Sequence, residues 1–160
     1  GYFKETFRAS LLEKLGVEAF VQDNESRSAK HVLRGLHYQL EPHGQAKLIR
    51  CIRGAIFDVV VDMRQGSPTY GQWAGYELSE ENHRMFFVPV GFAHGFLGLR
   101  DDTVVQYKQT QYYAPQVERA VLWSDPEIGI SWPMDEPMVS EKDRLAPPLR
   151  GAENNFRWSE

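Results

Sequence analysis

At 160 residues, with 42% hydrophobic and 25% charged residues, the chain is sized and composed for a single domain that buries a core. A formal charge of -4 without any block of Lys or Arg excludes the clustered basic footprint that nucleic-acid phosphates require, so no nucleic acid is expected as a partner. No apolar stretch reaches the length of a membrane span or a signal-peptide core, and the single cysteine, Cys51, cannot form an intrachain disulfide, so a cytoplasmic protein without a membrane partner is expected.

The chain opens at Gly1 rather than Met, which suggests that its start is missing. Phe7, Leu11, Leu12 and Leu15 then recur at roughly helical spacing ahead of Gly16, predicting a short amphipathic N-terminal helix. From residue 17 the pattern changes to short β-rich runs over 17–22, 32–39, 46–53, 55–63, 72–78, 84–89, 95–99, 103–111 and 120–123. Turn signals such as Pro42-His43-Gly44, Gln65-Gly66-Ser67-Pro68 and Asp101-Asp102 separate them at close intervals, the signature of an all-β sandwich or barrel, and a jelly roll is the expected architecture. Residues 56–62 are apolar almost without interruption, which suits a strand covered by a facing sheet or a subunit partner. Cys51 falls in the alternating run 47–53 and reads as a buried structural thiol. Ser140 ahead of Glu141-Lys142-Asp143-Arg144 reads as solvated surface or a capped helix start, and the Pro-rich end after Ala146 as a segment that wraps the surface or frays.

Several polar residues sit where apolar ones are expected. The run Val32-Leu33-Arg34-Gly35-Leu36-His37-Tyr38-Gln39 embeds an Arg, a His and a Gln in a strand otherwise suited to a core. On an ideal strand His37 and Gln39 share one face and Arg34 takes the other, so a common pocket requires a twist or bulge around Gly35. A hydrogen-bonded core histidine is the competing reading. In Pro89-Val90-Gly91-Phe92-Ala93-His94-Gly95 a turn delivers His94 to the start of another β-run, as the second motif of the cupins does. Metal-binding cupins carry a His-x-His pair in their first motif; here His37 is followed by Tyr38-Gln39, so no metal site is expected, and His31, His43 and His83 read as surface residues. Tyr107, Gln109 and Gln111 share a strand face, which fits either a site or an ordinary sheet edge. Gln22-Asp23-Asn24 by itself reads as a polar turn.

Taken in order, residues 1–7, 22–24, 32–39, 45–50, 91–96 and 140–143 resemble the dTDP-4-dehydrorhamnose 3,5-epimerase family, and the likeness extends from Gly1 to about Pro147. The resemblance implies a cupin-type jelly roll (a double-stranded β-helix) with a short N-terminal helix and short C-terminal helical or irregular segments. It implies a homodimer that needs no cofactor or metal and acts on a dTDP-4-keto-6-deoxyhexose. It further implies His37 as base, Asp143 as its orienting carboxylate, Tyr107 as acid and Lys47 as the cation beside the developing enolate oxygen. Arg34 and His94 would contact the sugar or diphosphate, and Tyr113 would stack on thymine. Gln22, Asn24, Glu118 and Lys142 would grip the substrate, and Phe3 and Glu5 would do so from a neighbouring subunit. The family has a strand and an Asp-x-Arg stretch ahead of the position of Gly1, which this sequence lacks, so an N-terminal truncation is expected. Three rival readings are a mono-epimerase acting at carbon 3 or carbon 5 alone, a non-catalytic sugar-nucleotide-binding cupin and, least favoured, a metal-dependent cupin oxygenase.

Overall fold

A computed structural model describes residues 1–159. Its strands are β1 (Gln22–Ser28), β2 (Val32–Gln39), β3 (Lys47–Arg53), β4 (Ala55–Asp62), β5 (Trp73–Ser79), β6 (Met85–Val88), β7 (Phe92–Gly98), β8 (Thr103–Gln109), β9 (Glu118–Ala120) and β10 (Met138–Val139). Two short helices, α1 (Leu11–Leu15) and α2 (Glu141–Arg144), and two 3-10 turns, Pro115–Val117 and Leu149–Gly151, complete the regular structure of the described residues. One sheet has the order β1-β8-β3-β6; the other runs β10-β2-β7-β4-β5, with β9 also paired to β2. Non-consecutive neighbours in both sheets give the crossed connections of the jelly roll that the turn spacing predicts.

The second sheet is buried on both faces. Ile56, Val60, Leu78 and Phe96 pack against Ile49, Cys51, Val88 and Val105 of the first sheet. On the opposite face Leu36, Tyr38, Val59 and Val61 pack against Val121, Ile128, Leu149 and Phe156. Alternation along β4 therefore sends its apolar side chains into one layer or the other, which accounts for its nearly uninterrupted hydrophobic run, while Asp58 and Asp62 are buried in polar contacts with His94 and Arg64. The cover on the second face is the chain's own C-terminal segment. Beyond residue 146 that segment wraps the fold and is anchored: Leu149 and Phe156 are buried, and the Tyr38 hydroxyl donates to the Glu153 carbonyl at 2.6 Å.

Three expectations are corrected. The strand expected at 17–22 lies instead at Gln22–Ser28, so Gln22-Asp23-Asn24 is strand and not turn. It pairs with β8 along its whole length, yet its inward residues Gln22, Asn24 and Ser26 are polar because they face a polar cavity, so hydrophobic alternation could not reveal it. The helix is one turn shorter than the spacing implies: Phe7 lies outside it and meets Phe20 edge-on at 5.7 Å, while Gly16 ends it at φ 67°. The strand expected at 120–123 occupies Glu118–Ala120, since Val121 turns away into the core.

At the centre of β2 the ladder to β7 slips between Arg34 and His37, the bulge that the polar residues of this strand require. Gly35 adopts φ 108°, and a Cβ there would lie 2.6 Å from the His94 carbonyl oxygen and 2.7 Å from the Gly95 Cα. Only glycine satisfies both the backbone angle and this approach. Gly35→Ala is expected to cost about 3 kcal/mol of stability, checked by urea unfolding of the two proteins; equal midpoints would refute the packing argument.

Candidate active site

A cavity of about 510 Å³ is lined by residues of both sheets. The first sheet contributes Gln22, Asn24 and Ser26 from β1, Lys47 from β3, and Tyr107 and Gln109 from β8. The second contributes Arg34, His37 and Gln39 from β2 and His94 from β7. Tyr113 follows β8, Glu118 begins β9, and Ser140, Lys142 and Asp143 come from the segment of α2. The slipped ladder after Arg34 allows Arg34, His37 and Gln39 to share the cavity.

His37 is held by Asp143, whose Oδ1 lies 2.5 Å from His37 Nε2. Asp143 is itself fixed: its Oδ2 accepts from the Gly35 N–H at 3.3 Å, and its backbone N–H donates to Ser140 Oγ at 3.1 Å, the N-cap of α2. Burial pushes the Asp143 carboxyl upward, but the hydrogen bond and charge of His37, with the Gly35 and Ser140 contacts, outweigh it and hold the group below the usual carboxylate range. An ionised carboxylate only accepts, so Nε2 carries the proton and Nδ1 of the neutral ring keeps a lone pair.

A second histidine–carboxylate pair lies alongside. His94 is directly opposite His37 in the β2–β7 register, and its Nε2 is 2.7 Å from Asp58 Oδ1 on β4. Asp58 Oδ2 is buried without a hydrogen-bond partner among the described residues. Lys47 is also buried; loss of hydration lowers its pKa to about 8, against the pull of the Asp58 and Glu118 carboxylates.

Near the opening, Glu118 Oε2 accepts from the Tyr113 hydroxyl at 3.2 Å and from the Lys142 ammonium. Burial raises the Glu118 carboxyl, and the Lys142 hydrogen bond, the charges of His37 and Lys142 and the Tyr113 hydroxyl more than offset it, leaving it below its ordinary value.

Eleven of the predicted site residues thus line one cavity: His37, Tyr107, Asp143, Lys47, Gln22, Asn24, Arg34, His94, Tyr113, Glu118 and Lys142. Phe3 and Glu5 are not among them. Phe3 is 98% exposed, and Glu5 pairs with Arg8 at 2.8 Å on the surface. His31 and His83 occupy turns at φ 69° and 54°, in keeping with their reading as surface residues. Sequence reasoning assigned no role to Asp58 or Ser26. A carboxylate enclosed by apolar residues within the run 56–62 was the available signal for Asp58, whereas Ser26 is visible only once β1 is known to be a strand. No cluster of three or more His, Cys, Asp or Glu placed to hold a metal ion occurs among the described residues. With a hydrogen-bonded imidazole on one sheet and a phenol and an ammonium on the other, the cavity is equipped for proton transfer to and from a bound molecule.

A family model described as dTDP-4-dehydrorhamnose 3,5-epimerase matches residues 1–151. A curated relative of that name from Methanothermobacter thermautotrophicus is 54% identical over 154 residues, which cover 94% of this chain and 83% of the relative. Among solved structures, dTDP-6-deoxy-D-glucose-3,5-epimerase from Legionella pneumophila Philadelphia 1, in complex with dTDP-4-keto-L-rhamnose, superposes with a TM-score of 0.95 at 46% identity, covering 100% of this chain and 87% of that one. A 3'-monoepimerase from Streptomyces bikiniensis in complex with dTDP-quinovose superposes with a TM-score of 0.86 at 41% identity, over 91% of this chain and 75% of that one.

Proposed function

Because the chain belongs to the dTDP-4-dehydrorhamnose 3,5-epimerase family, we propose that it converts dTDP-4-dehydro-6-deoxy-D-glucose to dTDP-4-dehydro-L-rhamnose by inverting carbons 3 and 5 beside the 4-keto group. The observation that carries this reading is the placement of His37 and Tyr107 on different sheets that line one cavity. Inversion requires removal of a proton from one face of the sugar and its return to the other, and two sheets facing a common cavity supply the two sides.

The residue roles are those that the family resemblance implies, and that placement supports them. Nδ1 of His37 takes the proton from the carbon beside the ketone, and the C–H electron pair moves into the ring bond as the carbonyl π pair moves onto the 4-oxygen. Asp143 holds the ring and stabilises the imidazolium so formed. The Lys47 ammonium, in a site with little water, stabilises the enolate oxygen more than the ketone. The Tyr107 hydroxyl returns a proton to the opposite face as the enolate collapses. Arg34 offers a planar fork of donors to the sugar or diphosphate, and His94, positioned by Asp58, lies in the same pocket. Tyr113 stacks on the nucleobase, and Gln22, Asn24, Glu118 and Lys142 grip the nucleotide or sugar. A single-carbon epimerase is the second reading, favoured by the likeness to the Streptomyces bikiniensis 3'-monoepimerase.

We further read the working unit as a cytoplasmic homodimer of single-domain subunits, each lending its N-terminal segment to its neighbour. Tyr2 and Phe3 support this: they stand 72% and 98% exposed at the start of the chain, as residues meant for burial elsewhere do. No helix among the described residues is long and apolar enough to cross a membrane.

Four outcomes are expected. In heavy water without added metal, proton NMR of the protein with dTDP-4-keto-6-deoxyglucose should show deuterium entering carbons 3 and 5. Entry at one carbon would identify a mono-epimerase, and none would refute epimerisation of this substrate. In the same assay Tyr107→Phe should retain exchange better than net inversion, and equal loss of both would overturn the acid role. Turnover should decline as pH rises through about 8, where Lys47 loses its charge, and Lys47→Arg, which stays protonated, should not show that decline; a wild-type profile flat across this pH would remove Lys47 as the enolate's cation. Mixing inactive His37→Ala subunits with impaired Phe3→Ala subunits should restore activity, because one site of each mixed dimer then has both an intact base and an intact segment; no restoration would place Phe3 in its own subunit's site or in none.

A further inference from the structure

The segment that carries Tyr113 leaves β8 and runs to the short 3-10 turn Pro115–Val117 with no strand beside it. One backbone polar group of each of residues 111–114 nonetheless has a partner, and each of these partners is a glutamine side chain. Gln45 Nε2 donates to the Gln111 carbonyl at 2.9 Å, and Gln39 Nε2 donates to the Tyr112 carbonyl at 3.2 Å. Gln22 Oε1 accepts from the Tyr113 N–H at 2.9 Å, and Gln39 Oε1 accepts from the Ala114 N–H at 2.8 Å. Four consecutive residues, 111 to 114, are thus each held at the main chain by an amide side chain.

These amides are also joined to one another. Gln22 Nε2 donates to Asn24 Oδ1 at 3.0 Å, Asn24 Nδ2 to Gln109 Oε1 at 2.9 Å, and Gln109 Nε2 to Gln45 Oε1 at 3.2 Å. The chain of donors begins and ends on the same segment, at Tyr113 N–H and Gln111 C=O, and crosses β1 and β8 between them. Gln39, Gln45 and Gln109 are buried, so each amide that lost its partner would leave a desolvated polar group. Such a closed set has one low-energy arrangement, which fixes the loop. Tyr113 itself is 53% exposed, so packing does not hold it; its backbone and the contact of its hydroxyl with Glu118 do.

We propose that Gln39, Gln45 and Gln109 are positioning residues that set nucleotide recognition by presenting Tyr113 to the pyrimidine base. The proposal rests on the reading of Tyr113 as the nucleobase contact. A ring that must stack on a planar base needs a fixed plane, and an unsupported loop would lose that order as a cost on every binding event. Neutral amides suit the task because they add no charge beside a nucleotide diphosphate.

The test compares Gln39→Met and Gln45→Met with the wild type, each also in a Tyr113→Ala background, in a steady-state assay with the dTDP-4-keto-6-deoxy sugar. KM should rise about tenfold in Gln39→Met, the size expected when a hydrogen-bonded anchor is lost, while kcat changes less than about threefold. Gln45→Met, which removes one contact with the segment where Gln39→Met removes two, and frees the Gln109 amide besides, should show a smaller rise in the same direction. Amide hydrogen exchange at Tyr113 and Ala114 should quicken in both variants while β2 and β8 stay protected. In the Tyr113→Ala background the glutamine substitutions should add little to KM. An equal penalty in both backgrounds, or unchanged exchange at 113–114, overturns the positioning role and leaves the nucleobase reading intact. An unchanged KM in Tyr113→Ala alone overturns the nucleobase reading itself and the positioning role with it. Gln45→Met, which touches the segment at its far end, decides the matter should Gln39→Met fail to fold.

Discussion

A β-strand sends successive side chains to opposite faces, so a histidine and an arginine three residues apart cannot both enter one cavity from a regular strand. The site depends on the breach of that rule in β2. The breach requires a backbone angle that side chains other than glycine resist, and it requires β7 to come so close that a Cβ would strike its main chain. The same displacement offers the Gly35 N–H to Asp143, so the distortion that turns His37 inward also positions the carboxylate that holds it. Much of the remaining architecture supports this point: the C-terminal segment packs under Leu36 and Tyr38, and β7 and β9 flank β2 on its two sides along its second half.

The cavity gathers charges that a protein interior ordinarily excludes. Lys47, Asp58 and Asp143 are all buried, and each would be costly alone. The Asp143 carboxylate is compensated by two hydrogen bonds, from His37 and the Gly35 N–H, and Asp58 by His94. Lys47 has only the more diffuse attraction of nearby carboxylates, which does not overcome the loss of hydration, and its pKa drops accordingly. An under-solvated cation is poorly satisfied until a negative oxygen forms beside it. That is the electrostatic condition under which a fixed charge stabilises a negative oxygen more than a neutral one.

The fold class was legible from the short β-runs and turn spacing because β2, β3, β4 and β8 follow the hydrophobic pattern of strands packed in a sandwich. β1 was not legible, because its inward residues line a polar cavity and the strand alternates in exposure instead of hydrophobicity. The bulge at Gly35 could be inferred from chemistry, since Arg34, His37 and Gln39 have no other way to meet. The pairing of Asp58 with His94 could not be inferred, because it depends on the register of β4 against β7. The glutamine contacts with residues 111–114 are hidden for the same reason: their partners lie up to 91 positions apart, and nothing local marks an amide as a loop support.

The helix α2 shows how little regular structure can control the site. Four residues cannot sustain a helix, since nucleation costs more than so few backbone hydrogen bonds return. Its position must therefore come from its contacts: the Ser140 cap, the parallel pairing of β10 with the start of β2, and the two side chains it projects into the cavity. Those side chains are adjacent, with Asp143 holding His37 and Lys142 joining Glu118 beside Tyr113. Any shift of this one turn moves both, so the orientation of His37 and the arrangement at the cavity's opening belong to one equilibrium.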